Sequence, residues 1–278
     1  LIARFFTLAG GPEDAAMLVN VMSAMCSAFT IFFLYLTIVH LGRRIVEKSR
    51  GALDFSSAVA VFGAGVVGAL AYTFSDTFWF SAVEAEVYAM SSLFTAVVFW
   101  AMLKWEEEAD RPYANRWIIL IAFLMGISIG VHLLNLLTIP ALVFIYYYKK
   151  YEVTTKRTFW VLAISGVILA TILYGIIPYL PKIAAYIDLF FVNVLGLHYN
   201  IGASLFILAL LAACFWRIYY TYSRNRVLLN TILLCVTDII IGYTSFAVVV
   251  IRSSANTPTN EYQPDNPFTL VRYIGREQ

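Results

Sequence analysis

The chain has 278 residues, 61% of them hydrophobic and 13% charged, with a net charge of +2 and a mean hydropathy of +0.79. Soluble domains carry roughly 25% charged residues, so this chain has too little polar surface to cover a compact fold in water. The small net charge also excludes a nucleic-acid-binding surface.

What remains is an all-α, polytopic integral membrane protein. Spanning a hydrocarbon core of roughly 30 Å takes about 20 apolar residues. Apolar runs of that order cover Met17–Leu41, Phe55–Phe74, Tyr88–Leu103, Phe159–Tyr179, Ile201–Trp216 with its aromatic continuation, and Val227–Ile251. Between them Trp117–Tyr148 is 32 residues long, too long for one ordinary span. His132 and Asn135 interrupt it, Gly126 and Gly130 precede the break, and Pro140 follows. The pattern predicts a hairpin of two short helices, about 15 residues each, and hence about eight crossings. The 18 Tyr and 6 Trp suit the two lipid–water belts of such a protein.

Charge sets the expected orientation. With Gly42–Asp54 cytoplasmic, the hairpin also places Lys104–Arg116, Lys149–Thr158 and Arg217–Arg226 inside, and these four loops hold 14 of the 19 basic residues. A single span would instead put Lys149, Lys150, Lys156 and Arg157 outside. Both ends then face the extracytoplasmic side. Residues 1–251 read as a multi-pass transmembrane domain, and 252–278 as an extracytoplasmic juxtamembrane segment of loop character. The chain begins at Leu1, without Met, in LIARFFTL and stops in YIGREQ, which reads as a piece of a longer protein.

The outer loops differ from the inner ones. Ser75–Val87 has no Lys or Arg but carries Asp76, Glu84 and Glu86, and its Phe78, Trp79 and Phe80 suit the headgroup zone. Pro181–Asn200 has apolar residues near helical spacing and predicts a helix lying in the interface.

Several residues are candidates for chemistry, each with a plainer alternative. Glu84 and Glu86 can serve as a base, bind a metal or hold a substrate hydroxyl; Ser81-x-x-Glu84 also fits a capping box opening the next helix. Glu86 has no such capping role. His132 and Asn135, at i and i+3, would share a helix face at the base of a cavity or satisfy a helix break. Asp238 lies inside the last span, where a carboxylate marks either function or a helix bridge. Arg252 closes that span and suits either a lipid phosphate or simple anchoring. Asn20, Ser23 and Ser27 predict a helix–helix contact face. Cys26, Cys214 and Cys235 lack metal-ligand spacing, and a lone His makes a poor metal site. No phosphate-binding glycine loop, dinucleotide motif or zinc spacing occurs.

Four strings carry a resemblance: VNVMSAMCSAFTIFFLYLTIVHL, FSDTFWFSAVEAEVYAMSSLFTAVVFWAMLKWE, ANRWIILIAFLMGISIGVHLLNLL and VVVIRSSANTPTNEYQPDNPFTLVRYIGREQ. They resemble a large bacterial family of multi-pass proteins related to the eukaryotic transmembrane protein O-mannosyltransferase of the GT-C glycosyltransferase superfamily. EAEVYA and GVHLLN are the more specific parts. The resemblance implies a GT-C-like fold in the bacterial inner membrane. It implies a sugar taken from a polyprenyl-phosphate carrier and passed to a hydroxyl acceptor, protein among them, on the extracytoplasmic face. The lipid-linked sugar is then a substrate, and no cofactor is implied. In that family the acidic motif of the first extracytoplasmic loop, which the resemblance makes the prime candidate for the catalytic base, precedes the region matching Leu1. Residue by residue, Glu84 and Glu86 fall in the EVYA-type loop, His132 and Asn135 in the HLLN element, and Arg252, Asn256 and Glu261 in the loop after the last helix. A transporter or flippase using Asp238 and His132, and a non-catalytic scaffold, are the competing readings.

Overall fold

The computed structural model describes residues 2–255, 260 and 262–275. Among them every regular element is helical. Six helices are long and apolar enough to cross a membrane: Pro12–Arg50, Phe55–Thr73, Val87–Glu108, Thr155–Leu195, Ile201–Ser223 and Val227–Ser253. Their exposed faces carry large apolar side chains, such as Phe62, Val67, Phe159, Val167 and Leu208, as a hydrocarbon solvent requires. The chain divides into two compact units, Leu1–Thr138 and Ile139–Gln278.

In the first unit α1 (Ile2–Thr7) leads into the 36-residue α2 (Ala15–Arg50). Then come α3 (Phe55–Thr73), the short α4 (Asp76–Val83), α5 (Val87–Glu108) and α6 (Arg116–Ile129). A 3-10 turn over Leu133–Thr138 ends the unit. α2 is its axis and packs against α1, α3, α4 and α5. Asp54 caps α3 by accepting the Ser57 N–H at 2.9 Å. Hydrogen bonds from the Ser57 side chain and backbone and from the Ser56 hydroxyl hold the Asp54 carboxyl down at about 2, so this cap is lost only as the pH falls toward that value.

Small residues set the α2–α3 distance. A Cβ on Gly65 would lie 2.6 Å from Val39 Cγ2 and 3.0 Å from the Tyr35 ring; only glycine lets the helices close this far, the packing mode that replaces hydrophobic burial in lipid. The α2–α5 seam buries Met22 and Cys26 against Ala89 and Met90, with Ala3, Phe6 and Val131 at its rim. Ser23 and Ser27 are buried on the same stripe, as expected, whereas Asn20 is exposed and is no part of it. Phe78 also departs from expectation: it is 5% exposed and packs on Tyr72, ring centroids 4.5 Å apart. Trp79 and Phe80 alone stay exposed.

The second unit contains α7 (Ile139–Lys150), α8 (Thr155–Ala170), α9 (Ile177–Leu195), α10 (Ile201–Ser223), α11 (Val227–Tyr243), α12 (Ala247–Ser253) and α13 (Pro267–Gly275). A π-turn over Thr171–Ile176 joins α8 to α9 without a break. The expected separate interfacial helix from Pro181 is therefore the end of one 41-residue helix, Thr155–Leu195. Pro181 has no N–H for the Ile177 carbonyl one turn earlier. The Tyr243 hydroxyl from α11 donates to that carbonyl at 2.8 Å, so the proline is accommodated inside the helix.

Asp188, 2% exposed, accepts the Asn200 N–H at 3.0 Å and the Ala203 N–H at 3.2 Å, capping α10 from α9. Close approach permits it: a Cβ on Gly202 would sit 2.7 Å from Asp188 Cα. The tail is not all loop. α13 packs on α9, started by Asn266, whose Oδ1 accepts the Phe268 and Thr269 N–H groups, with Pro267 at the first helical position.

Gly63 offers a control for Gly65, because its added Cβ meets nothing within 4 Å. Thermal unfolding in detergent should show Gly65→Val destabilised by about 1–3 kcal/mol and Gly63→Val unchanged. Equal behaviour of the two variants contradicts the packing described.

Candidate functional site

The two ends of the first unit differ in charge. At one end Arg44 pairs with Glu106, His40 Nδ1 lies 3.2 Å from Glu107, Lys104 Nζ lies 2.8 Å from Glu107, and Arg116 lies 2.8 Å from Glu108. These contacts tie the C-terminal ends of α2 and α5 together and dock α6 beside them. The opposite end brings together the segment between α3 and α5, the end of α6, and the start of α2 with Glu13 and Asp14. No Lys or Arg occurs over 51–103 or 117–148. Arg4, on α1, is the basic residue described at this end, and it donates to Thr7 Oγ1 at 3.2 Å.

Glu84 and Glu86 both lie at the acidic end. The capping box is corrected by the structure. α4 ends at Val83 with Glu84 as its C-terminal cap residue, and Ser81 donates instead to the Thr77 carbonyl. α5 starts only at Val87, with Glu86 in the N-cap position but making no side-chain cap bond. Both carboxylates are exposed, and neither has a hydrogen-bond or ion-pair partner among the described residues.

The stretch expected to break at His132 does break there. α6 stops at Ile129, Gly130 donates to Ile127 O, and the His132 N–H returns to Ser128 O. His132 and Asn135 do not share a helix face. His132 sits before the 3-10 turn, where its Nδ1 accepts the Leu134 N–H at 3.1 Å. Its ring lies beside Tyr88, centroids 5.5 Å apart. Asn135 is 0% exposed. Its Nδ2 donates to Ser128 Oγ at 3.0 Å, and Ser128 donates in turn to Met125 O at 2.8 Å. Asn135 Oδ1 is buried without a hydrogen-bond partner. The break is thus built from its own polar side chains, with Thr138 closing on Asn135 O at 2.7 Å.

Beside this turn lies a cavity of about 650 Å³, walled by α2, α3, α5 and the 3-10 turn. Its lining is mainly apolar, with hydroxyl-bearing side chains at Thr30, Thr37, Tyr72, Ser92, Thr95 and Thr138. That size suits a small-molecule pocket.

The remaining candidates lie in the second unit. Asp238 is half-buried in α11 with no side-chain hydrogen bond among the described residues. Arg252 is exposed in the last turn of α12. Asn256 and Glu261 lie outside the described residues. Among the described residues no group of three or more His, Cys, Asp or Glu could hold a metal ion. Tyr88 was not singled out from sequence; it stands two residues after Glu86 in the EVYA string, a signal that could have found it.

Six membrane-length helices, with a helix break after Ile129 and exposed carboxylates at Glu84 and Glu86, describe a polytopic membrane protein. The family model described as the protein O-mannosyl-transferase TMEM260 N-terminal domain matches residues 1–155. This is more than half of the 278 residues, and the chain belongs to that family. No curated protein and no solved structure matches it. Glu84, Glu86, Tyr88, His132 and Asn135 all fall within the matched residues; Asp238 and Arg252 fall beyond them.

Asn135 and Ser128 should respond unequally to substitution. Asn135→Leu removes both amide groups together and should cost less than about 1 kcal/mol, whereas Ser128→Ala strands the buried Nδ2 and should cost about 1–3 kcal/mol. Detergent unfolding midpoints check the order, and the reverse order contradicts the hydrogen-bond assignment.

Proposed function

We propose that the protein is a membrane glycosyltransferase of the protein O-mannosylation type. It takes a sugar from a polyprenyl-phosphate carrier and passes it to a hydroxyl acceptor at the extracytoplasmic face. Family membership over residues 1–155 carries this reading. Charge segregation supports the side: the ion-paired end with Arg43, Arg44, Lys48, Arg50 and Lys104 is the cytoplasmic one under the positive-inside rule. The acidic end then faces out. About eight crossings belong to the same reading, the six long helices with two short ones over residues 117–148.

The chemistry is one in-line displacement. The acceptor oxygen forms a bond to the anomeric carbon as the carbon–oxygen bond to the carrier phosphate breaks. The phosphate leaves with the electron pair, and the acceptor proton passes to a carboxylate. Glu86 is best placed for that proton: it is exposed, unpaired and makes no side-chain cap bond, with Glu84 two residues before it. His132 and Asn135 shape the inner side of the site. In the second unit Arg252, together with Asn256 and Glu261, serves the carrier, a guanidinium being suited to a phosphate. Asp238 has no assigned step. The lipid-linked sugar is the substrate, and the step calls for no cofactor.

Glu86→Gln in the full-length protein should lower transfer from a polyprenyl-linked mannose by about 100-fold or more, with expression and melting temperature kept. A wild-type rate removes Glu86 from the chemistry. In a background lacking Cys26, Cys214 and Cys235, an impermeant maleimide applied outside should label a cysteine at position 84 and not at position 48. The opposite pattern reverses the orientation.

A further inference from the structure

The hydrogen bond at His132 fixes more than a turn. Nδ1 accepts the Leu134 N–H at 3.1 Å, and an accepting ring nitrogen carries no proton. The proton of the neutral imidazole therefore sits on Nε2, which is a donor. Tyr88 flanks the ring, centroids 5.5 Å apart with planes at 52°, so both the tautomer and the ring position are constrained. The ring is half-buried, and Nε2 has no partner among the described residues.

The surroundings say what such a donor would meet. Tyr88 stands in the first turn of α5, two residues after Glu86, and Glu84 and Glu86 are exposed and unpaired. Two free carboxylates repel a further anion and accept hydrogen bonds from hydroxyl groups. A polyol is the ligand that both donates to carboxylates and accepts from an N–H, and its C–H faces suit a half-exposed aromatic ring such as Tyr88, 50% accessible. A phosphate offers only acceptors and negative charge.

We propose that His132 donates its Nε2–H to a hydroxyl oxygen of the transferred sugar, with Tyr88 as its flanking wall, and that this corner recognises the sugar and not the carrier phosphate. This assignment rests on the glycosyltransferase reading for the identity of its ligand. It makes His132 a specificity-determining residue whose Nδ1 and Nε2 have separate duties: one holds the 133–138 turn, the other reads the sugar.

Two substitutions separate the duties. In His132→Asn the short side-chain carbonyl replaces Nδ1 and keeps the Leu134 contact, but no donor reaches the Nε2 position. In His132→Gln the amide nitrogen reaches that position, and the Leu134 acceptor is lost. Binding of two probes to the full-length protein in nanodiscs is compared: mannosyl-phosphoryl-undecaprenol and bare undecaprenyl phosphate. His132→Asn should keep the wild-type melting temperature, weaken the mannosylated carrier by about tenfold, and leave the bare carrier unchanged. His132→Gln should melt lower yet bind the mannosylated carrier within about threefold of wild type. Nitrogen-15 spectra of the wild-type imidazole should show the proton on Nε2. Equal weakening of both probes by His132→Asn, unchanged binding of both, or a proton on Nδ1 overturns the proposal. So does a wild-type protein that binds the two probes equally. The readout is binding, so a wild-type protein that discriminates the probes but transfers no sugar would defeat the transferase reading and leave this one standing.

Discussion

Hydrocarbon offers no water to a peptide group, so every N–H and C=O at membrane depth must find its partner inside the protein. At three places where the described chain departs from a continuous α-helix, a side chain answers the departure. His132, Asn135, Ser128 and Thr138 close the break after α6. Tyr243 supplies the donor that Pro181 withholds from the Ile177 carbonyl. Asp188 gathers the first amides of α10. Other polar groups take no part in these closures. In the first unit the remainder includes Glu84, Glu86 and the Nε2 edge of His132, all at the end remote from the Arg44–Glu106 and His40–Glu107 contacts.

Much of this was legible in the sequence, because hydropathy and lysine–arginine placement are local signals that the bilayer reads directly. The six long apolar runs became helices, and the interruption at His132 became a real break. The misreadings have a common physical origin in long-range partners. Ser81-x-x-Glu84 has the spacing of a capping box, but Phe78 is drawn into the core against Tyr72 and α4 ends at Val83. Pro181 looks like a helix boundary until Tyr243, distant in sequence, is seen to cover its missing bond. Asp188 drew no reading from the sequence; its role depends on Gly202 lying against it. The Asn266–Pro267 start of α13 was readable as a cap followed by proline, yet the polar composition around it favoured a loop.

The two units contribute unequally to the functional account. The family match covers the first unit and runs to residue 155, and the carboxylates, His132 and the cavity beneath the 3-10 turn lie within it. The second unit contributes long helices, a second cavity of about 390 Å³ lined by α9, α10, α11, α12 and α13, and Arg252. Its polar groups serve mainly to hold those helices together. A transport mechanism would need Asp238 joined to other polar groups at mid-depth, and among the described residues none hydrogen-bonds to its side chain.

The most direct measurement follows the sugar itself. Full-length protein in sealed vesicles receives a polyprenyl-phosphate carrier labelled in its mannose and, outside, a serine-containing peptide. Label should appear on the peptide in step with release of unglycosylated carrier, and none should reach a peptide whose serine is replaced by alanine. Labelled carrier that crosses the bilayer intact, with no label on the peptide, would contradict it.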